Sequence, residues 1–381
     1  MRKFIGFAAA GLLIVGTAVG VRAETPHEEH PGHTPGGGPA AQSNDGPNFT
    51  FGASTSYTYD INDPDTSTGE NQKLYSSFEQ DESFNIDMVQ IGISGTRGPV
   101  TYGAKLDFGD MAKLVKNSTL DDSFAMQEMY LAVDAGPLMV TAGRMPTPIG
   151  YEVLEPWANP NISRSRAYSF QPINHDGVAL SAESGNFNTM VGVVNGFAVT
   201  DPTVNNPDDE YAIVGAVGAA VGDLDLRLAG IWSEETDDKD LYEINGVLAG
   251  NYNNCRYGVE GTYFNGNNDL NALDLSMWDV TLYGGATWGP WSADLRGSFT
   301  EEIDATNGNT VAGGAHDNSI WSFTATGGYE ITDGVVVRAE YRLDAATENI
   351  FADDDTIGGS PDNLDNVLSV QLLWTPATGD E

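Results

Sequence analysis

A strict alternation of apolar and polar side chains dominates the chain from residue 48 onward. Residues 291–299 read WSADLRGSF and residues 335–343 read VVVRAEYRL, so every second position in both segments is apolar or glycine. Successive side chains of a β-strand point to opposite faces, whereas a helix repeats about every 3.6 residues. Convincing helical patterns are absent, and the continuous apolar runs typical of buried parallel strands are scarce. The pattern predicts antiparallel strands with one apolar face.

The alternating segments are joined by connections that are short and long in turn. Sixteen segments begin near residues 48, 84, 100, 124, 138, 176, 187, 211, 224, 241, 255, 276, 291, 319, 335 and 364. Seven connections are tight and carry turn residues, as at Gly136-Pro137 and Gly222-Asp223. The other eight are longer and polar: 61–83, 109–123, 145–175, 200–210, 234–240, 265–275, 302–318 and 345–363. Sixteen antiparallel strands require seven short and eight long connections in alternation when both chain ends lie on the short-turn side.

This organisation predicts an all-β protein, a transmembrane antiparallel up-and-down β-barrel of about sixteen strands over residues 48–381. Only a closed sheet satisfies the backbone of strands inside lipid. A soluble β-sandwich leaves the ordered alternation of connections unexplained, and a β-solenoid needs a fixed repeat, which the sequence lacks. The aromatic residues placed to form girdles at the membrane surfaces are Tyr59, Tyr130, Trp232, Tyr263, Trp278, Trp288, Trp291, Trp321, Tyr329 and Trp374.

Two segments precede the predicted barrel. Residues 1–23 combine early basic residues, an apolar run and Val21-Arg22-Ala23, which predicts a secretory signal peptide cleaved after Ala23. Residues 24–47 are rich in Pro and Gly and predict a disordered tail. Three histidines lie within residues 27–33 of this tail. They are interpreted as part of a solvated linker, and a soft capture site for zinc, copper or nickel is the alternative.

Charge excludes one class of partner and indicates a wet interior. A formal net charge of −38 repels nucleic acid, so no nucleic-acid partner is expected.

Arg or Lys facing lipid at the bilayer midplane costs about 2–4 kcal/mol, so charges on the polar strand faces are predicted to line an aqueous lumen. The predicted pore-wall residues are Lys105, Asp107, Arg227, Arg256, Asp294, Arg296, Arg338, Glu340 and Arg342. The residues expected to form a basic patch on one wall are Arg256, Arg296, Arg338 and Arg342.

The stretch from Met145 to Arg166, MPTPIGYEVLEPWANPNISRSR, interrupts the alternation. It belongs to the third and longest outer connection, and a loop of this length usually has a function or is disordered. Its prolines and aromatic residues favour an ordered loop. We predict that it folds inward as a constriction, with Glu152 and Glu155 facing the basic patch and filtering solutes by charge. Arg164 and Arg166 would tether the loop to acidic wall residues or line the opening, and an exposed loop over the barrel mouth is the alternative.

The same region resembles a known family. Gly143-Arg144, Pro148 to Glu152, Ser163 to Ser165 and His175 to Val178 match a pattern of Gly-Lys/Arg, Pro-Ile-Gly-Tyr-Glu, Ser-Arg-Ser and His-x-Gly-Val. This pattern is similar to that of the OmpL-like β-barrel porin family of bacterial outer-membrane proteins. The resemblance implies a porin-like channel. The chain departs from the usual terminal aromatic of barrel assembly signals, because Trp374 lies seven residues before the end.

The predicted function is passive diffusion of small hydrophilic solutes or ions through a water-filled, weakly cation-selective channel in the cell outer membrane. The expected partners are outer-membrane lipid, lipopolysaccharide, the barrel assembly machinery and the solutes, and a homotrimer stays open. No cofactor or metal is expected. Catalysis is not expected either, because nucleophile and phosphate-loop motifs are absent and the predicted barrel has only His175 and His316 as imidazole bases. The alternative is a non-conducting barrel that acts as a surface adhesin.

Overall fold

The computed structural model describes residues 47–61, 83–116, 123–197, 211–236, 239–268, 273–306, 318–348, 351 and 363–375. Their strands are β1 (Asn48–Asp60), β2 (Ser83–Arg97), β3 (Val100–Phe108), β4 (Phe124–Asp134), β5 (Met139–Pro146), β6 (Asn174–Ser184), β7 (Phe187–Val194), β8 (Ala212–Val221), β9 (Leu224–Thr236), β10 (Lys239–Tyr252), β11 (Cys255–Asn268), β12 (Leu273–Trp288), β13 (Trp291–Thr306), β14 (Asn318–Thr332), β15 (Val335–Ala346) and β16 (Leu364–Trp374). A short helix, α1, covers Ala112–Lys116, and 3₁₀ turns cover Pro156–Ala158 and Ala167–Ser169. Every predicted strand start lies within three residues of the observed one.

The sixteen strands form a closed barrel in which each strand pairs antiparallel with its neighbours in the chain. The barrel closes between β1 and β16, where Ala53 lies opposite Trp374 and Tyr59 lies opposite Leu368. Closure removes the unpaired strand edges that could not be satisfied inside lipid. The predicted fold class is therefore confirmed. Among the described residues, no helix has both the length and the apolar character needed to cross a membrane.

The short turns follow from local sequence. Each of the seven contains a residue with left-handed backbone: Gly98, Gly136, Gly185, Gly222, Asn253, Gly289 and Gly334. Asn253, with φ of 54°, is the single non-glycine residue of this kind in the described part of the chain. Asparagine tolerates this conformation better than most residues, because its side chain can hydrogen-bond the local backbone. The turn positions predicted from Gly, Asn and Asp are thus the observed ones.

The apolar face of the alternation points outward, toward the region that lipid occupies around a transmembrane barrel. On β16, Leu368, Val370 and Leu372 expose about half of their surface, whereas Gln371 between them is buried. The free Cys255 at the start of β11 is exposed as well. This arrangement is the reverse of a soluble protein, in which the apolar face would be buried.

Tyr130 departs from the predicted aromatic girdles. Its side chain is buried, and its ring lies against Gly103 of β3. The neighbouring Met129 and Leu131 are the exposed residues of β4. Because side chains alternate along a strand, Tyr130 faces the barrel interior, and its assignment to the girdle was wrong.

The second long connection contains α1, which was not predicted from the sequence. Met111, Ala112 and Val115 are buried and pack against Met88 of β2 and Leu154. A helix of five residues is too short to show a 3.6-residue period in the sequence. The helix therefore packs an apolar side against β2 and Leu154.

Part of the interior side of β6 to β9 is apolar, which the alternating pattern also did not reveal. Met190, Val214 and Ile231 are buried and pack in one cluster with Ile149. Strand β8, AIVGAVGAAV, contains only apolar residues and glycine, so it presents apolar side chains on both faces. This part of the interior offers a packing surface rather than a charged lining.

Several predictions concern residues outside the described ranges and stay predictions. They include the signal peptide at residues 1–23, nearly all of the tail at residues 24–47 with its histidines, and the position of His316.

Candidate functional site

The connection between β5 and β6, residues 147–173, is named the third loop here. Prolines and the absence of alternation prevent it from forming a strand, and it folds instead around the two 3₁₀ turns. Its charged side chains are buried, with Glu152, Arg164 and Arg166 at most 1% exposed. Burial of so many charges requires bonded partners for each of them.

Arg164 organises the loop from within. Its guanidinium donates to the carbonyls of Val153, Leu154 and Ile162 at 3.0, 3.0 and 2.9 Å. The carbonyl of Arg164 itself accepts a hydrogen bond from the Arg342 guanidinium of β15 at 2.7 Å. Arg164 thus connects the two halves of the loop through their backbone carbonyls.

Two ion pairs attach the loop to β13. Glu152 accepts a hydrogen bond from Arg296 at 2.6 Å, and both side chains are almost completely buried. Arg166 pairs with Glu302 further along the same strand. Breaking a buried pair by removing one partner is typically destabilising by about 3–5 kcal/mol, because a desolvated charge is left behind. These pairs therefore hold the loop firmly on this side.

Charged side chains of strand β15 bind the backbone of the third loop. The carboxylate of Glu340 accepts hydrogen bonds from the amides of Ile162 and Ser163 at 2.6 and 2.9 Å. Arg338 donates to the carbonyl of Asn159 at 2.6 Å. Loop amides and carbonyls that have no strand partner are satisfied in this way by charged wall residues.

A second side of the loop contacts β3 and β4. Glu155 lies 2.8 Å from the Lys105 ammonium, which also pairs with Glu128 at 2.8 Å. Nearby, Asp107 accepts a hydrogen bond from Gln90 at 3.0 Å. Among the described residues, no hydrogen bond or ion pair joins Asp107 to the loop. Glu155 therefore points away from the strand that holds Glu152.

The third side of the loop contacts β9, β10 and β11. The amide of Gly150 donates to Asn245 at 3.2 Å, and the amide of Tyr151 donates to Glu260 at 3.0 Å. The Arg227 guanidinium donates to the carbonyl of Gly150. With the contacts to β13, β15, β3 and β4, the loop reaches the wall on three sides.

Arg256 of the predicted basic patch pairs with a carboxylate of the wall. It is the second residue of β11, close to a short turn, and its Nε donates to Asp294 at 2.7 Å. Its side chain stays 26% exposed. The two loop carboxylates therefore do not share one basic wall. Glu152 pairs with Arg296, and Glu155 pairs with Lys105.

Three interior carboxylates have no basic hydrogen-bond partner among the described residues. We call Glu243 of β10, Glu260 of β11 and Asp279 of β12 the carboxylate stripe. Glu260 accepts from neutral groups including Asn245, Asp279 accepts from hydroxyls, and neither oxygen of Glu243 has a described donor. Glu243 and Asp279 are not among the predicted pore-wall residues, although their positions on the polar strand faces could have indicated the lumen.

The loop phenols add no charge to this arrangement. Burial raises the pKa of Tyr151 to about 12 and also raises the pKa of Tyr168. Both phenols are therefore neutral at physiological pH. The ring of Tyr151 stacks on that of Tyr283 in β12, with ring centres 4.1 Å apart.

A closed sixteen-stranded barrel with an apolar outer band, a charged interior and a long loop bound inside its wall defines a porin-type outer-membrane barrel. The sequence matches the model of a family described as "Putative beta-barrel porin-2, OmpL-like" over residues 48–372, and the chain belongs to this family. The resemblance found in the sequence is thereby confirmed.

Solved outer-membrane proteins share the fold. In-vitro folded OmpT of Vibrio cholerae, in a trimer form, is 14% identical with a TM-score of 0.56, and covers 87% of this chain and 99% of its own. The anion-selective porin of Comamonas acidovorans is 12% identical with a TM-score of 0.57 and the same coverage. The outer membrane channel DcaP of Acinetobacter baumannii is 12% identical with a TM-score of 0.58, and covers 86% of this chain and 96% of its own. At these identities the likeness concerns the fold alone. No curated protein sequence matches the chain.

Proposed function

We propose that the protein is an outer-membrane porin that allows passive diffusion of small hydrophilic solutes or ions, with the third loop as the constriction. The observation that carries this proposal is the binding of the loop to the wall on three sides, through Glu152, Glu155 and the backbone around Tyr151. A loop held in this way narrows the passage at a constant position and places its charges where solutes must pass. Family membership and the charged interior support the same function.

We propose further that the channel is weakly cation-selective. The carboxylate stripe places three acidic side chains in the interior with no basic hydrogen-bond partner among the described residues, whereas the interior arginines contact carboxylates or loop carbonyls. The net charge of −38 would also concentrate cations at the mouth of the channel. The basic residues of β13 and β15 oppose this effect in part, so the selectivity is expected to be weak.

Recordings from purified protein in planar bilayers test both proposals. In a salt gradient, the double variant Glu260→Gln with Asp279→Asn is expected to shift the reversal potential toward anions, and more at about 0.1 M salt than at 1 M, because screening is weaker there. Asp333→Asn, in the exposed turn between β14 and β15, is the matched control and is expected to shift it little. An equal shift from the control would contradict the role of the stripe.

The second candidate function is a non-conducting barrel that acts as a surface adhesin. It is favoured by the same tight attachment of the third loop, which would also suit a plugged barrel. Stepwise conductance in the planar bilayer would exclude this candidate, and its complete absence from correctly folded protein would overturn the porin proposal.

Location and assembly complete the proposal. The chain would reach the outer membrane after cleavage of its signal peptide at Ala23, be inserted by the barrel assembly machinery, and contact lipid and lipopolysaccharide through its apolar band. A homotrimer fits this picture, since a solved barrel of the same fold was obtained in a trimer form.

A further inference from the structure

One carboxylate of the interior wall lies in an otherwise apolar row of side chains. Glu243 of β10 lies opposite Ile231 of β9 on one side and opposite Phe264 of β11 on the other. Phe264 lies in turn opposite Met277 of β12. Ile244, the next residue of β10, is 52% exposed on the outer surface, so the row faces the interior. Side chains opposite each other on neighbouring strands have Cβ atoms about 4.5–5.5 Å apart. Glu243 is therefore flanked by an aliphatic and an aromatic side chain.

The charge of Glu243 has no partner within the described part of the chain. The residue is 1% exposed, and neither of its carboxylate oxygens accepts a hydrogen bond there. The charge that acts on it is that of Glu260, which is also negative. Glu302, on the far side of Met277, differs because it pairs with Arg166. A buried carboxylate is unfavourable unless a cation or a proton neutralises it. Since no described side chain supplies the cation, the carboxylate is available to an external one.

Three phenylalanine rings meet beside this carboxylate. The ring centre of Phe264 lies 5.2 Å from that of Phe170 in the third loop and 5.7 Å from that of Phe197, which follows β7. All three side chains stay partly exposed, so they offer apolar surface to the lumen. The face of an aromatic ring attracts cations. Phe170 already carries a cation, because the Arg166 guanidinium lies 4.9 Å from its ring centre. Phe264 and Phe197 are the rings that remain for a cation from outside.

We propose that Glu243, Phe264 and Phe197 form a binding site for organic cations, that is, for solutes with an ammonium group on an aromatic body. We call it the Glu243 site. The inference rests on the proposed channel function and narrows its solutes to a chemical class. The ammonium group would pair with the carboxylate, and the aromatic body would pack against the rings and Ile231.

The surroundings of the Glu243 site determine which solutes it selects. A small hydrated cation cannot fill the apolar flanks of the carboxylate, so the site selects for the body of the solute as well as for its charge. Anionic solutes are repelled by Glu243 and Glu260 together. Because Glu243 is buried, the partly exposed rings would have to turn aside to admit the ammonium group.

Isothermal titration calorimetry of the folded protein in detergent tests the Glu243 site. The probes are phenethylammonium chloride and ethylammonium chloride, which share the ammonium group and differ in the ring. We expect phenethylammonium to bind at least about tenfold more tightly than ethylammonium, and Glu243→Gln to weaken its binding at least about tenfold. Phe264→Leu is expected to weaken the binding of phenethylammonium more than that of ethylammonium. Asp333→Asn, in the exposed turn between β14 and β15, is the control and is expected to change neither.

Three results would overturn the proposal: no binding of phenethylammonium to the folded protein, equal binding of the two amines, or unchanged binding in Glu243→Gln. If Glu243→Gln does not fold, Glu243→Asp replaces it. This variant keeps the charge but draws it back by one methylene, so it is expected to weaken the binding of phenethylammonium as well.

Conductance of the unmodified protein in potassium chloride is recorded separately in planar bilayers. Conductance steps without amine binding would overturn the Glu243 site alone. Amine binding without conductance steps would refute the channel and keep the site. A failed site and a failed channel are therefore distinguished.

Discussion

At the scale of single residues, the interior charges serve largely to satisfy the backbone of the third loop. Glu340 accepts two loop amides, Arg338 and Arg342 donate to loop carbonyls, and Glu260 accepts the amide of Tyr151. An irregular segment inside a barrel has few strand partners, and each buried polar group left without a partner costs about 1–3 kcal/mol. Charged wall residues can therefore be structural and electrostatic at the same time.

The Glu152–Arg296 pair gives a prediction at this scale. Glu152→Gln removes the charge but keeps most of the side-chain volume, and it leaves the buried Arg296 charge without its carboxylate partner, with hydrogen bonds to Ser163 and Thr324 remaining. We expect the free energy of opening the third loop to fall by about 3–5 kcal/mol. Native-state amide exchange of the loop measures this change.

The double variant Glu152→Met with Arg296→Met is the control for that prediction. Because the double variant removes both charges, we expect it to recover much of the amide-exchange protection that the loop loses in Glu152→Gln. If the amide-exchange protection of the loop stays unchanged in Glu152→Gln, the pair does not anchor the loop.

At the scale of elements, the loop and the wall fit closely on the side of β1. A side-chain Cβ added at Gly52 would come within 2.2 Å of the Trp157 ring, which follows directly on Pro156 in the first 3₁₀ turn. Only glycine leaves room for the indole there. The fit explains how a wall strand with small polar residues positions a loop that is distant from it in the sequence.

Gly52→Ala is predicted to destabilise this contact. The Trp157 ring must move, and overpacking of this kind costs about 1–3 kcal/mol. Gly246→Ala on β10 is the matched control, since no atom lies within 4 Å of the Cβ position there. Midpoints of urea unfolding for the two folded variants provide the measurement, and equal midpoints would contradict the close fit.

At the scale of the whole molecule, the barrel has two unlike halves. Strands β12 and β13 have 16 residues each, whereas β5 and β7 have eight. The short half also carries the apolar interior cluster around Val214, and the long half carries the carboxylate stripe. The short half accordingly provides an apolar packing surface for Ile149 of the third loop inside the barrel.

The prediction for the whole molecule concerns its export. Mass spectrometry of outer-membrane fractions is expected to find a mature N-terminus at Glu24, because the residues before it combine basic charge, an apolar run and small residues at the cleavage site. Recovery of the intact chain with Met1 from the cytoplasm would contradict both the leader and the location.

The sequence predicted the strands and turns well because both depend on local chemistry. Lipid on one side of the wall and polar groups on the other impose a period of two, and tight turns need residues such as Gly185 or Asn253. Where alternation was weak, the interior of the barrel and short elements were not predicted. Val214 and Ala216 on β8 gave no signal of a buried interior cluster, and α1 was too short to show a period.

By itself, the sequence determined the class of fold, the number and order of the strands, and the position of the third loop, since these depend on patterns within each segment. The partners of the loop charges were decided only by the tertiary structure. Glu152 and Glu155 are three residues apart, yet they contact Arg296 and Lys105 on different sides of the barrel. Arg296 is 144 positions from Glu152. Such contacts depend on how barrel closure and loop packing place distant strands around the loop, and no local pattern records that arrangement.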